Sequence, residues 1–426
     1  MSGNHVPQLP AAFQRLAWSN LVAQSADQIA LAAAPIVAVF SLGVAEGKAG
    51  LLQTALTLPF VLFAIPAGLM SDRMSRPRLM ASAEALRALA LVATLLLLWS
   101  GLLNLTLLAL LGAIAVCGTV AYSVAAPALV PALVSQDRLA TANGRIELAR
   151  TIAFAGGPAL GGLLVGWVGA AAAFALAAVL SVAATVLLGG IKEQPRAIPP
   201  RRQPLRDIRA GAAFVFEHAM LRPIFITQFI FNTASFTIFS VFVPYAVRHL
   251  GQSPSSVGIT LGMYGGGMVI GALVAARVMR IIPFGIVVGI GPIAGFLASA
   301  VMVLTIYVPS PLLAGLSFFL LGAGLILWVI STTTLRQAVT PPSLLGRVSA
   351  INILAYGARP IGAGIGAVVG GTYGAETCLG IAALGFFAQM MVIWLSPAVG
   401  LSRQPEMVQD LVSKDFVSKD LASQRA

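Results

Sequence analysis

The chain has 426 residues, of which 58% are hydrophobic and 9% charged. Soluble domains carry roughly 25% charged residues, so this chain cannot cover a water-facing surface, and lipid must be most of its solvent. The formal net charge of +12 sits in short loops between apolar runs, the pattern of membrane topology, which excludes nucleic acid as a partner.

Residues 1–12 are polar and contain Pro7 and Pro10, with no basic segment leading to a small-residue cleavage site. The first apolar run is therefore read as a retained helix. A helix needs about 20 residues to cross a bilayer, and twelve runs qualify: 13–41, 50–70, 79–100, 104–133, 146–168, 170–190, 223–247, 257–276, 284–307, 312–335, 349–372 and 377–399. They predict an all-α integral membrane protein with two six-helix halves, residues 13–190 and 223–399. Residues 191–222 form a linker and 400–426 a polar tail, in which Val-Ser-Lys-Asp occurs twice.

In the first run, Asn20, Gln24, Asp27 and Gln28 share a helical face by i, i+3 and i+4 spacing. Counted from Leu16, Asp27 lies about 16 Å deep, near the middle of a hydrocarbon layer about 30 Å thick. A carboxylate there is costly. The face is expected to line a central cavity, with Asp27 as a proton carrier or as a contact for a cationic or hydroxyl-rich substrate. A buried acid bonded to polar neighbours is the alternative.

The second loop reads Gly68-Leu69-Met70-Ser71-Asp72-Arg73-Met74-Ser75-Arg76-Pro77-Arg78. Glu84 and Arg87 follow at i, i+3 in the third run, and Glu147 and Arg150 repeat that spacing at the start of the fifth. Both are expected ion pairs near the cytosolic ends, and with Asp72, Arg138, Arg347 and Arg359 they are candidates for an inner gate. Tyr122, Tyr264, Trp328 and Tyr356 are candidate cavity aromatics, since a ring with one polar atom suits amphipathic substrates. In the fifth run, Gly157-Pro158-Ala159-Leu160-Gly161-Gly162 permits close helix approach and a bend at the proline. In the linker, Leu205, Ile208, Ala212, Val215 and Phe216 recur at helical spacing, which predicts an amphipathic helix on the cytosolic membrane surface. In the seventh run, Gln228, Asn232 and Ser235 repeat the spacing of Asn20, Gln24 and Asp27 at an offset of 208.

A longer repeat joins the halves. Arg138, Asn143, Arg150, Gly157, Gly161 and Gly162 recur as Arg347, Asn352, Arg359, Gly366, Gly370 and Gly371, each 209 positions on. Parallel repeats in a hydrophobic chain mark secondary transporters with a site between the halves. Basic residues fill alternate loops, with only Lys48 and Arg248 on the other side, which predicts cytosolic termini.

The second loop resembles the major facilitator superfamily signature, glycine–x3–Asp–Arg followed by basic residues. The run Pro127 to Val134, then Arg138-Leu139-Ala140-Thr141-Ala142-Asn143, and Leu205 to Gly211 are similar to the enterobactin-exporter and macrolide-efflux branch. The likeness covers roughly residues 12–399. The 157–162 stretch is similar to the helix-5 motif of that superfamily's exporters, although Ala153 stands where a glycine is usual. The resemblance implies export of a small amphipathic molecule, drug- or siderophore-like, with protons as coupling ion, by a monomer in the cytoplasmic (inner) membrane. One departure bears on coupling: the superfamily's best-known drug–proton antiporters carry a helix-4 arginine, and residues 104–133 contain no basic residue.

Cys117 and Cys378 lie in apolar runs without metal-ligand spacing, so no metal is expected. No Gly-x4-Gly-Lys-Ser/Thr occurs, and no nucleophile or paired carboxylates have suitable companions, so neither an ATPase nor another enzyme is expected, and no cofactor. An importer or uniporter on the same fold, or a non-transporting membrane receptor, remains open from the sequence.

Overall fold

Two side chains show how loops give way to helices. Asn104 accepts the backbone N–H of Leu107 at 3.0 Å, and Ser253 that of Ser256 at 3.3 Å. Each satisfies a donor that a helix start leaves open. The structure is a computed structural model and describes residues 10–135, 138–193, 204–341 and 344–403. In chain order the helices are α1 (Ala11–Phe40), α2 (Glu46–Leu62), α3 (Ala64–Arg73), α4 (Arg76–Trp99), α5 (Leu105–Leu133), α6 (Leu139–Trp167), α7 (Ala170–Gly189), α8 (Pro204–Glu217), α9 (Leu221–Arg248), α10 (Pro254–Ile281), α11 (Phe284–Tyr307), α12 (Pro311–Val339), α13 (Leu345–Leu354) and α14 (Ala358–Trp394), with a 3₁₀ turn over Ala355–Gly357 before α14.

Among the described residues, ten helical segments are long and apolar enough to span a membrane. The relation to the twelve predicted runs has two local causes. The run over 50–70 is interrupted at Phe63. Pro66 has no N–H to offer the Leu62 carbonyl, and its ring would clash there. The eleventh run spans the end of α13 and the first part of α14, and the twelfth begins in the second part of α14. Gly374, at φ 84° and ψ 170°, breaks that helix, in a region that a side chain disfavours.

The halves pack alike. In the first, α1 lies against α6 and α7, and α4 against α5 and α7; in the second, α9 lies against α14, and α11 against α12 and α14. The 209-residue repeat is thus a repeat of packing as well as of sequence. Between halves the principal contacts are α6 with α10, α2 with α14 and α2 with α9, whereas α3, α4 and α5 pack mainly within their own half.

The linker helix departs from expectation. Val215 is buried in one cluster with Leu221, Val348 and Ile351, and Ala212 packs against it. The apolar face of α8 is therefore spent partly on α13 rather than on a membrane surface; Phe216 remains 46% exposed. The side chains of Leu205 and Ile208 lie outside the described residues.

Candidate functional site: a charged cluster in one half and a ringed arginine in the other

Asp27 is held near the middle of α1. Its Oδ1 accepts from Thr119 Oγ1 at 2.6 Å and lies 3.6 Å from Arg87 Nη2. Its Oδ2 is 3.4 Å from Gln28 Nε2. Arg87 donates through Nη1 to both Glu84 oxygens, at 2.7 and 2.9 Å, and to the Ala23 carbonyl at 3.2 Å, and through Nη2 to Thr119 Oγ1 at 2.6 Å. All three charged groups are buried: Glu84 is 0%, Arg87 2% and Asp27 5% exposed. Two carboxylates thus face one guanidinium. Fully ionised, the cluster would hold one uncompensated negative charge away from water, which is expensive. Taking up one proton neutralises it.

This arrangement corrects two expectations. Glu84 and Arg87 pair as the i, i+3 spacing predicts, but they join the mid-depth cluster rather than a cytosolic gate. The polar face of α1 does not form one cavity wall either. Asp27 turns toward α4 and α5 inside its own half, where with Arg87, Thr94, Leu108 and Phe174 it lines a cleft. Asn20 donates to the Ile146 carbonyl on α6 at 3.0 Å, and Gln28 packs against Gly157 of α6; Gln24 is part-buried. The acid follows the cation because an unpaired charge costs more than a rotated neutral amide.

The second half presents a cation. Arg359, part-buried at the start of α14, donates from Nε to Asn232 Oδ1 at 3.1 Å. Its guanidinium carbon lies 4.4 Å from the ring centroid of Tyr356, 5.1 Å from Phe236 and 5.3 Å from Phe60 of α2. Such stacking contributes about 0.5–2 kcal/mol per contact. Arg359 is thus a mid-bundle residue held by rings from both halves. Arg150 pairs with Glu147, Nε to Oε2 at 3.0 Å, on the partly exposed face of α6, and is 5.5 Å from the Phe154 ring.

Several other candidates fall elsewhere. Tyr122 is buried in the core of the first half, with its hydroxyl 3.3 Å from Ser19 Oγ. Trp328 is buried against Gly291 and Val288. Both are packing residues rather than cavity walls. Tyr264 stands edge-on to Phe239 at 5.7 Å. Ser235 is 2% exposed, and the carbonyl of part-buried Gln228 accepts from Asn232 at 2.8 Å. Arg76 joins Glu193 at 3.5 Å within the first half, while Arg73, Arg78 and Arg347 are exposed and Arg138 part-exposed. Among the described residues, nothing would lie within 4 Å of a Cβ added at Gly68. The side chain of Asp72 lies outside the described residues.

The helix-5 motif has a packing role. Gly157 and Gly161 approach α1, while Gly162 meets Gly258 of α10 across the two halves. Gly47 and Gly50 of α2 meet Gly371 and Ala367 of α14 in the same way, and Arg248 reaches Glu46 at 2.9 Å. The contacts between the halves lie at the end of the bundle away from the chain termini. The halves are closed at that end.

A family model described as transmembrane secretion effector, of the major facilitator superfamily, matches residues 5–425. The chain belongs to that family. It is a multi-pass membrane transporter and not an enzyme. This family member is 28% identical over 364 residues to the multidrug efflux pump Tap of Mycobacterium tuberculosis, covering 81% of this chain and 84% of the pump. It is 26% identical over 224 residues to the enterobactin exporter EntS of Citrobacter koseri, 53% of each chain. Among solved structures, a bacterial homologue of the iron transporter ferroportin in an inward-facing state superposes with a TM-score of 0.71 at 15% identity, covering 91% of this chain and 99% of that one. A D-xylose–proton symporter superposes with a TM-score of 0.71 at 12% identity, covering 91% and 98%. At those identities the structures establish the major facilitator fold alone.

Proposed function

We propose that this transporter exports a small amphipathic molecule, drug- or siderophore-like, across the cytoplasmic membrane by alternating access, in exchange for protons. The observation that carries this reading is the buried Asp27–Arg87–Glu84 cluster, which has one more carboxylate than guanidinium at mid-depth. A proton taken up there removes a charge that lipid cannot screen, and its release restores it. The positive loops support cytosolic termini. On that orientation the contacts that close the bundle lie on the outer side, which fits a state that an exported molecule would enter from the cytosol.

The experiment is uptake into inside-out vesicles with an imposed pH gradient, acidic inside. The wild type should accumulate drug-like probes only with the gradient. Asp27→Asn keeps an acceptor for Thr119 and should fold, yet transport without gradient dependence. Gradient-driven uptake by Asp27→Asn at the wild-type rate would refute the coupling role.

A further inference from the structure

The arginines at depth are not equivalent. Arg87 faces two carboxylates and Arg150 faces Glu147. Arg359, the repeat of Arg150, has no acidic partner among the described residues, and the position that repeats Glu147 is Tyr356, since 356 − 147 = 209. An acid in one half is replaced by a ring in the other, and that ring stacks on the guanidinium. Stacking covers the faces of the planar group and leaves its N–H edge open. Nε is used by Asn232. Among the described residues Nη1 and Nη2 have no protein acceptor, and neither is sealed from solvent. Arg359 is also bounded by Phe60 of one half and Phe236 of the other.

We infer that Arg359 anchors the anionic end of the transported molecule, and that the surrounding rings hold its planar body. The substrate class is an anionic, ring-bearing amphipath: a carboxylate, sulfonate or phenolate joined to an aromatic or similarly flat apolar group. A guanidinium edge takes such oxyanions through paired N–H donors. The aromatic cluster continues from Phe236 to Phe239 at 5.6 Å and on to Tyr264 at 5.7 Å. Under this assignment the halves divide the work. Protons bind at the buried carboxylate cluster of the first half, and the substrate anion binds at the part-buried cation of the second. The inference deepens the export reading and rests on it for the direction of transport only.

The test uses two probes with one fluorophore and opposite charge, dansylglycine and dansylcadaverine, titrated onto the full chain in lipid nanodiscs, with empty nanodiscs subtracted. Wild type should bind dansylglycine the tighter. Arg359→Gln should weaken dansylglycine by about tenfold or more, the loss expected for one or two charge-assisted hydrogen bonds, and leave dansylcadaverine unchanged or tighter. Arg359→Lys keeps the charge without the fork and should fall between. Retained dansylcadaverine binding reports that the variants fold. Equal loss of both probes, no loss of dansylglycine, or a wild type that does not bind dansylglycine overturns the anchor. The vesicle assay is read separately. Gradient-driven uptake alongside an unaltered Arg359→Gln leaves export standing and removes the anchor; charge discrimination without any uptake does the reverse.

Discussion

Gly258 of α10 and Gly162 of α6 touch backbone to backbone, and a Cβ placed on Gly258 would stand 2.5 Å from the Cα of Gly162. The contact joins the two halves at the end away from the termini, and neither backbone can yield cheaply. Gly258→Val should wedge that end open at a cost of about 1–3 kcal/mol. The variant should fold and bind probes but favour the opposite opening. Labelling of a cysteine introduced at Ser255 should rise several-fold in it; unaltered labelling with normal transport would show that the contact does not close the bundle.

Glu46 and Arg248 form the charged part of the same closure, at 2.9 Å with 20% and 47% side-chain exposure. At that exposure the pair should contribute only about 0.2–1 kcal/mol and weaken with salt. Glu46→Arg alone should shift the halves apart, and Glu46→Arg with Arg248→Glu should restore the wild-type distance between spin labels on α2 and α9. A double variant no better than the single would remove the pair from the closing contacts.

Arg87 compensates two buried carboxylates. Arg87→Met should destabilise the protein by about 3–5 kcal/mol, read as a lower thermal unfolding midpoint in detergent. Adding Glu84→Gln removes one of the stranded charges and should recover part of the loss. A single variant as stable as wild type would mean that water reaches the cluster freely.

His218 joins α8 to α9. Its Nδ1 accepts the Met220 N–H at 3.2 Å, which needs the neutral ring. Burial holds its pKa below the ordinary 6.5. A depressed folded-state pKa means that its share of stability is full above about pH 6.5 and is lost as pH falls through the lower folded value. Hydrogen exchange of the α8 amides should therefore speed up on acidification, and His218→Ala should flatten that dependence. An equally steep dependence in the variant would place the titration elsewhere.

The helical runs, the two halves and the duplicated packing were legible in the sequence, because apolar length and a 209-residue repeat are properties of the chain itself. The cluster was half legible. Asp27 was singled out by depth and Arg87 by spacing from Glu84, but their union depends on how α1 turns against α4, and Thr119, which bridges them, had no signal beyond one hydroxyl in an apolar run. Tyr122 and Trp328 looked like Tyr264 and Tyr356 because helical spacing does not say whether a ring faces a gap or a neighbour. The loss of Glu147's counterpart at Tyr356 was visible in the repeat; that the ring would stack on Arg359 was not.

The interruption at Phe63 separates two pieces with different attachments. α2 is pinned to α14 through Gly47 and Gly50, whereas α3 rests on α5 and α4 of its own half. A bend there would let a ten-residue lever swing at the end of the bundle nearer the termini while the seal at the other end stays fixed. Under the proposed alternating access both mouths are never open at once, and a knuckle at this place would let one mouth shut before the other begins to part.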